Sequence, residues 1–126
     1  MNITDYTPVM RLTTRPNDAN PGGDIFGGWL MSQIDLAGAI VATTRARGPI
    51  VTIAVKELLF IHPLYVNDLV SFYAEVVSVG KTSMTVNVEV YSQRFRDLKG
   101  ENIKISTATL VYVAVTKPGE KREIPT

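Results

Sequence analysis

The sequence predicts an α+β domain in which an antiparallel sheet wraps around one long helix, and three observations support this. Apolar residues recur at helical spacing in one long stretch, the period changes to two in the segments that follow, and the breaks between those segments are short.

A short strand is expected near Val9–Thr14. The run from Arg15 to Gly23 follows, with Pro16 and Pro21 fixing φ and Gly22 and Gly23 free to take positive φ, so it reads as an ordered loop. It ends at Asp24, a residue type favoured at a helix N-cap. Leu30, Met31, Ile34, Ala37, Gly38 and Val41 then fall at i, i+1, i+4, i+7, i+8 and i+11, one face of a 3.6-residue period. The helix should run to about Arg47, ahead of Gly48-Pro49.

Beyond it, Met84, Val86, Val88 and Val90 alternate with Ser83, Thr85, Asn87 and Glu89, the mark of a strand with one buried face. Comparable strands are expected at about 50–61, 68–79 and 103–116. His62-Pro63, Val79-Gly80-Lys81 and Asp97-Leu98-Lys99-Gly100 mark the breaks, each short enough to join antiparallel neighbours. Lys117 to Thr126 is polar with two prolines and reads as a surface extension. No repeat interrupts the chain, so residues 1–126 read as one domain. Because the helix is hydrophobic nearly all round, one sheet leaves part of it bare, and a second copy of the domain is its natural cover.

Charge and composition exclude several classes. With Lys+Arg 13 against Asp+Glu 12 there is no surplus of cations to neutralise a nucleic-acid backbone. No cysteine is present, which removes thiol nucleophiles and thiolate metal sites and fits a reducing cytoplasm. The start, Met1-Asn2-Ile3-Thr4-Asp5, lacks the basic and apolar regions of a signal peptide. The most apolar stretch, Ile25 to Ala46, contains Gln33, Asp35 and Arg45, so it reads as a buried helix and not a membrane span.

Asp35 is the anomaly within that helix. Its neighbours one turn away on either side are Met31, Ser32, Gly38 and Ala39, so no cation pairs with it locally. Either it lies on an exposed stripe or bonds a loop, or it is a functional carboxylate. Asp24 likewise reads as an N-cap, an active-site residue, or both. Gly27-Gly28 stands in the first turn, where two poor helix formers suggest a close approach to the backbone. Their amides suit an anion or a developing oxyanion, although tight packing of a neighbour is an equal reading. Gly27 and Asp35 are eight residues apart, about 12 Å of helix rise, so one carbonyl will not touch both on one helix. If both act on one substrate they come from different subunits, and dimerisation becomes a mechanistic requirement.

Other constellations fail on inspection. The only histidine, His62, reads as a strand-end residue, and there is no Gly-x-Ser-x-Gly, so a Ser-His-Asp hydrolase has no support. His and Cys clusters for a metal are missing too. Gly80-Lys81-Thr82 resembles the end of a P-loop, but the first glycine of that motif would fall at Glu75. It reads as a hairpin, where Lys81 and the Thr82 and Ser83 hydroxyls could meet a phosphate at its rim.

The stretch from Asn17 to Asp35, with Asn20-Pro21-Gly22-Gly23-Asp24-Ile25-Phe26-Gly27-Gly28-Trp29 at its centre, resembles the signature of the acyl-CoA hydrolase family of hotdog-fold thioesterases, bacterial broad-specificity type. Val51 to Val55, Phe60-Ile61-His62-Pro63, Asn67-Asp68, Gly80 to Ser83 and Lys121 to Pro125 extend the likeness over nearly the whole chain. The resemblance implies a hotdog fold and hydrolysis of acyl-CoA to a free acid and CoA, without metal or redox cofactor. It implies Asp35 as catalytic general base or nucleophile, Gly27 together with Gly28 as oxyanion donors, and Asp24 as a polar active-site residue. Asn20, Phe26, Lys81, Thr82 and Ser83 are implied as substrate contacts. Dimers assembled into hexamers are implied as well. His62 departs from a position where related sequences often carry Lys, and no role is assigned to it. Lys81, Arg94, Arg96 and Lys121 are available as counter-charge for the CoA phosphates, though surface cations are common.

Two other functions would use parts of the same pattern. A hotdog dehydratase acting on 3-hydroxyacyl thioesters would present a catalytic His before the helix, and this loop has none. A non-catalytic acyl-CoA sensor would use the same pocket but would leave Asp35 needing another explanation.

Overall fold

A computed structural model of the chain describes residues 6–94, 96–97 and 100–126. Strand β1 spans Met10–Thr13, helix α1 Gly27–Ala46, and strands β2 to β6 span Ile50–Phe60, Leu69–Val79, Ser83–Gln93, Ile103–Lys117 and Glu120–Lys121. The expected helix and strands therefore stand within a few residues of where periodicity puts them. Leu98 and Lys99 of the last expected turn, and the Met1 to Asp5 segment, lie outside the described residues.

The strands form one antiparallel sheet in the order β1-β3-β4-β5-β2, with β6 added to β5. Met84, Val86 and Val88 of β4 stand opposite Tyr112, Leu110 and Ala108 of β5, and all six are buried beneath the helix. The seam of α1 that meets them is Leu30, Ile34, Ala37, Gly38, Ala42 and Ala46. Its small side chains let the helix lie close to the sheet. Met31, expected on this face, is instead 40% exposed, because it stands one residue round the helix towards the β2 edge.

The edge strand β2 exposes Ile53, Val55, Leu59 and Phe60, and α1 exposes Leu36 and Ile40. A single chain thus leaves an apolar helix face and an apolar sheet edge uncovered, as the all-round hydrophobicity of the helix predicts.

Two expectations need correction. Asp24 is not the N-cap of α1: Phe26 holds that place, extended at φ −71° and ψ 146°, with no side-chain cap. The cause is pairing with a distant segment. Asp24 forms a β-bridge with Tyr65, and the Ile25 amide donates to the Leu64 carbonyl at 2.8 Å, so the chain stays extended for two more residues.

The tail is also more than a surface extension. Arg122 donates to the carbonyls of Ala46 at 2.9 Å, Val115 at 2.8 Å and Pro49 at 3.3 Å, while Arg45 donates to Pro125 at 2.6 Å and Ile124 is buried. The last carbonyls of a helix lack partners and carry its negative dipole end, so a guanidinium there satisfies both. Gly48 makes room for it, since a Cβ at that position would stand 2.9 Å from Arg122 Nη2. Arg122→Ala is expected to lower stability by about 1–3 kcal/mol, measured as a lower urea midpoint.

Candidate functional site

Asp35 is the ninth residue of α1 and is half-buried at the border between the seam and the exposed face. Its partners are hydroxyls from two strands. Thr52 Oγ1 of β2 donates to Oδ1 at 2.7 Å, and the Tyr112 hydroxyl of β5 lies 3.1 Å from Oδ1 and 2.8 Å from the Asp35 carbonyl. Among the described residues Oδ2 has no hydrogen-bond partner. The carboxylate is therefore held by one oxygen and presents the other.

Local backbone features position both hydroxyls. The β2–β5 register shifts between Thr52 and Ala54, a bulge of the kind that re-aims neighbouring side chains, and Thr52 stands beside it. Tyr112 is fully buried and reaches the helix only because residue 38 is glycine, where a Cβ would stand 2.3 Å from the Tyr112 oxygen. Burial, and then the nearby Asp35 carboxylate, push the Tyr112 hydroxyl well above its ordinary pKa, so it stays protonated and able to donate.

The carboxylate opens onto a cavity of about 310 Å³ between α1 and β2. Asp35, Thr52, Gly28 and Ser32 contribute polar atoms, and Met31, Ile34, Val55, Leu58 and Leu110 supply apolar wall. The displaced Met31 thus lines a cavity and not the core.

The N-terminus of α1 lines a different cavity of about 390 Å³, with Asp24, Gly27, Leu30, Phe60 and His62 in its wall. The Gly27 and Gly28 amides have no partner among the described residues. Gly27 also makes room for Phe60, whose Cζ would lie 3.3 Å from a Cβ there. Asp24 accepts a hydrogen bond from Asn20 Nδ2 at 3.0 Å, closing the loop that leads into the helix. Phe26 is 41% exposed beside the same turn. His62 holds its Nδ1 against the Lys104 carbonyl at 2.9 Å, in keeping with a strand-end structural residue.

Within one chain, then, Asp35 and Gly27 line separate cavities, as the helix-rise estimate anticipates, while Gly28 shares the cavity of Asp35. Lys81, Thr82 and Ser83 lie further off. The carbonyls of Thr82 and Lys81 accept from Ala114 and Ile124, which puts this hairpin with the tail at the C-terminal end of a helix about 30 Å long. Arg94 is already engaged: it pairs with buried Asp68, donates to the Pro63 carbonyl and stacks on Tyr65. Thr52 and Tyr112 are the site residues that sequence reading misses.

A family model described as the thioesterase superfamily matches residues 22–97, a span holding Asp24, Gly27, Gly28, Asp35 and Thr52. The acyl-CoA thioester hydrolase YciA of Salmonella typhimurium is 42% identical over 130 residues, covering 99% of this chain and 98% of that protein. A hexameric thioesterase from Yersinia pestis superimposes with a TM-score of 0.88 at 39% identity, covering 97% of this chain and 98% of its own. A hexameric hotdog-fold thioesterase of Campylobacter jejuni does so with a TM-score of 0.86 at 43% identity, over 95% of this chain and 91% of its own.

Proposed function

The chain belongs to the thioesterase superfamily, and from that premise we propose that it hydrolyses acyl-CoA thioesters to a carboxylic acid and CoA with Asp35 as its catalytic carboxylate. One observation carries the assignment of Asp35: a carboxylate anchored through Oδ1 leaves its other oxygen without a hydrogen-bond partner among the described residues, in the wall of a largely apolar cavity. An acyl chain suits the apolar wall, and its thioester carbon then lies near Oδ2.

As general base, Oδ2 takes a proton from water while the water oxygen bonds to the thioester carbon. The tetrahedral oxyanion collapses, the C–S bond breaks, and the proton on Asp35 passes to the departing thiolate. As nucleophile, Oδ2 itself bonds to that carbon, CoA leaves, and water hydrolyses the mixed anhydride. Both routes need donors for the oxyanion. Gly27 lies about 12 Å of helix rise from Asp35, so the donor is the amide of Gly27 of the partner subunit, helped by the positive end of its helix. The uncovered face of α1 and edge of β2 supply the apolar surface for such a dimer, and three dimers would give a hexamer like those of the relatives. Carboxylate and amides together supply the base and the oxyanion donors, so the reading calls on no metal or redox cofactor.

No helix among the described residues is long and apolar enough to cross a membrane. The lack of cysteine fits the reducing cytoplasm as the compartment of the enzyme.

The test is release of free CoA from acyl-CoAs of increasing chain length, followed with a thiol reagent. With no cysteine in the chain, the protein gives no background signal. Turnover is expected for at least part of the series. Saturable binding without thiol release across all of it would overturn the enzyme reading in favour of an acyl-CoA sensor.

A further inference from the structure

We propose that Tyr112 is a positioning residue for the catalytic carboxylate, and that Gly38 is glycine so that the Tyr112 hydroxyl can reach it. The proposal rests on Asp35 being that carboxylate.

The hydroxyl sits 2.8 Å from the Asp35 carbonyl and 3.1 Å from Oδ1, so the residue's main chain and side chain are held from a single point. A hydroxyl carries one proton, shared between two acceptors, and both acceptors belong to Asp35. Tyr112 is itself immobile: it is fully buried in β5 opposite Met84. Helix α1 is thus registered against the sheet at the residue that carries the chemistry. Thr52 fixes Oδ1 from β2 on the other side, and the two hydroxyls leave Oδ2 one orientation. A buried tyrosine in a core position would pack as well without its oxygen, and residue 38 would then tolerate a side chain more readily. Gly38 lies in the helix interior, where glycine costs roughly 0.5–1 kcal/mol against alanine. The hydroxyl is the hardest contact an added Cβ would meet, at 2.3 Å to the oxygen, with the ring carbons Cζ and Cε2 tight behind it at 3.1 and 3.2 Å. Tyr112 stands outside residues 22–97, so the device is contributed by β5, beyond the span the family model matches.

The test compares Tyr112→Phe, Gly38→Ala and the double variant in the intact oligomer. Tyr112→Phe preserves volume and should assemble normally, with kcat falling about 10- to 100-fold and KM moving less than about twofold, the signature of a misaligned reacting group. Gly38→Ala should lower kcat to a similar extent by displacing the hydroxyl. In the Tyr112→Phe background it should cost less than it does alone, because its hardest contact, the one with the oxygen, is already gone. A wild-type kcat in folded Tyr112→Phe would overturn the proposal, as would full multiplication of the two losses in the double variant. A loss confined to thermal stability would assign Tyr112 to packing alone and also overturn it. Asp35→Asn run alongside separates the two levels: if that variant keeps full activity, the assignment of Asp35 fails, whereas an inactive Asp35→Asn with an unimpaired Tyr112→Phe refutes only the role of Tyr112.

Discussion

Asp35→Asn is expected to slow CoA release by about 10²–10⁴-fold while leaving the oligomer intact. The substitution keeps the shape of the side chain, and an amide oxygen at the Oδ1 position still accepts from Thr52 Oγ1, so the anchoring survives. What is lost is the basic or nucleophilic oxygen at Oδ2. Water is then no longer deprotonated as it attacks, and no anhydride can form. KM should change far less than kcat, because the apolar wall formed by Ile34, Val55, Leu58 and Leu110 is untouched. Heavy-oxygen label from solvent recovered in the Asp35 carboxylate after a single turnover would identify the nucleophilic route. A variant that hydrolyses at the wild-type rate would sink the assignment of Asp35 in either role.

How much of this was legible in advance follows from the range of the interactions. The helix and the alternation of β4 depend on residues a few positions apart, so Leu30, Ile34 and Gly38 or Met84, Val86 and Val88 declare their faces directly. Local preference puts the N-cap at Asp24, but that residue is claimed by pairing with Tyr65, about forty residues further along. The tail looked like solvent-facing polar chain because the carbonyls that Arg122 satisfies belong to Ala46 and Pro49, more than seventy residues upstream. The site shows the same limit. Asp35 and the glycine pair stand out as violations of helix preference, but Thr52 reads as an ordinary strand threonine and Tyr112 as an ordinary core aromatic. Their hydroxyls meet Asp35 across separations of 17 and 77 residues, and neither carries a local anomaly of its own. Gly38 did carry one, a glycine in the middle of a buried helix face, and its partner was the missing half.

Gly27→Pro is expected to lower kcat by about 10²–10³-fold without unfolding the helix, and to be rescued by mixing with Asp35→Asn. Proline suits this position. Gly27 is the first helical residue, where an amide has no intrahelical acceptor and proline's fixed φ is already helical. The preceding residue, Phe26, holds ψ at 146°, the extended conformation that a following proline demands. The added ring meets Phe60 Cζ, 3.3 Å from the Cβ position, a contact that a few tenths of an ångström of movement relieves. The substitution therefore removes one N–H and little else. If each site takes its carboxylate from one subunit and its amide from the other, a dimer of one Gly27→Pro chain and one Asp35→Asn chain holds one intact site and one doubly damaged site. Random reassembly of equal amounts makes about half the dimers mixed, each with one of two sites working, so about a quarter of wild-type activity should return from two nearly inactive proteins. Were both groups drawn from a single chain, every site in the mixture would carry one lesion and activity would stay at the level of the separate variants. Recovery near a quarter, measured as CoA release after denaturation and joint refolding, identifies the dimer as the catalytic unit; no recovery despite mixed dimers shown by mass would refute it.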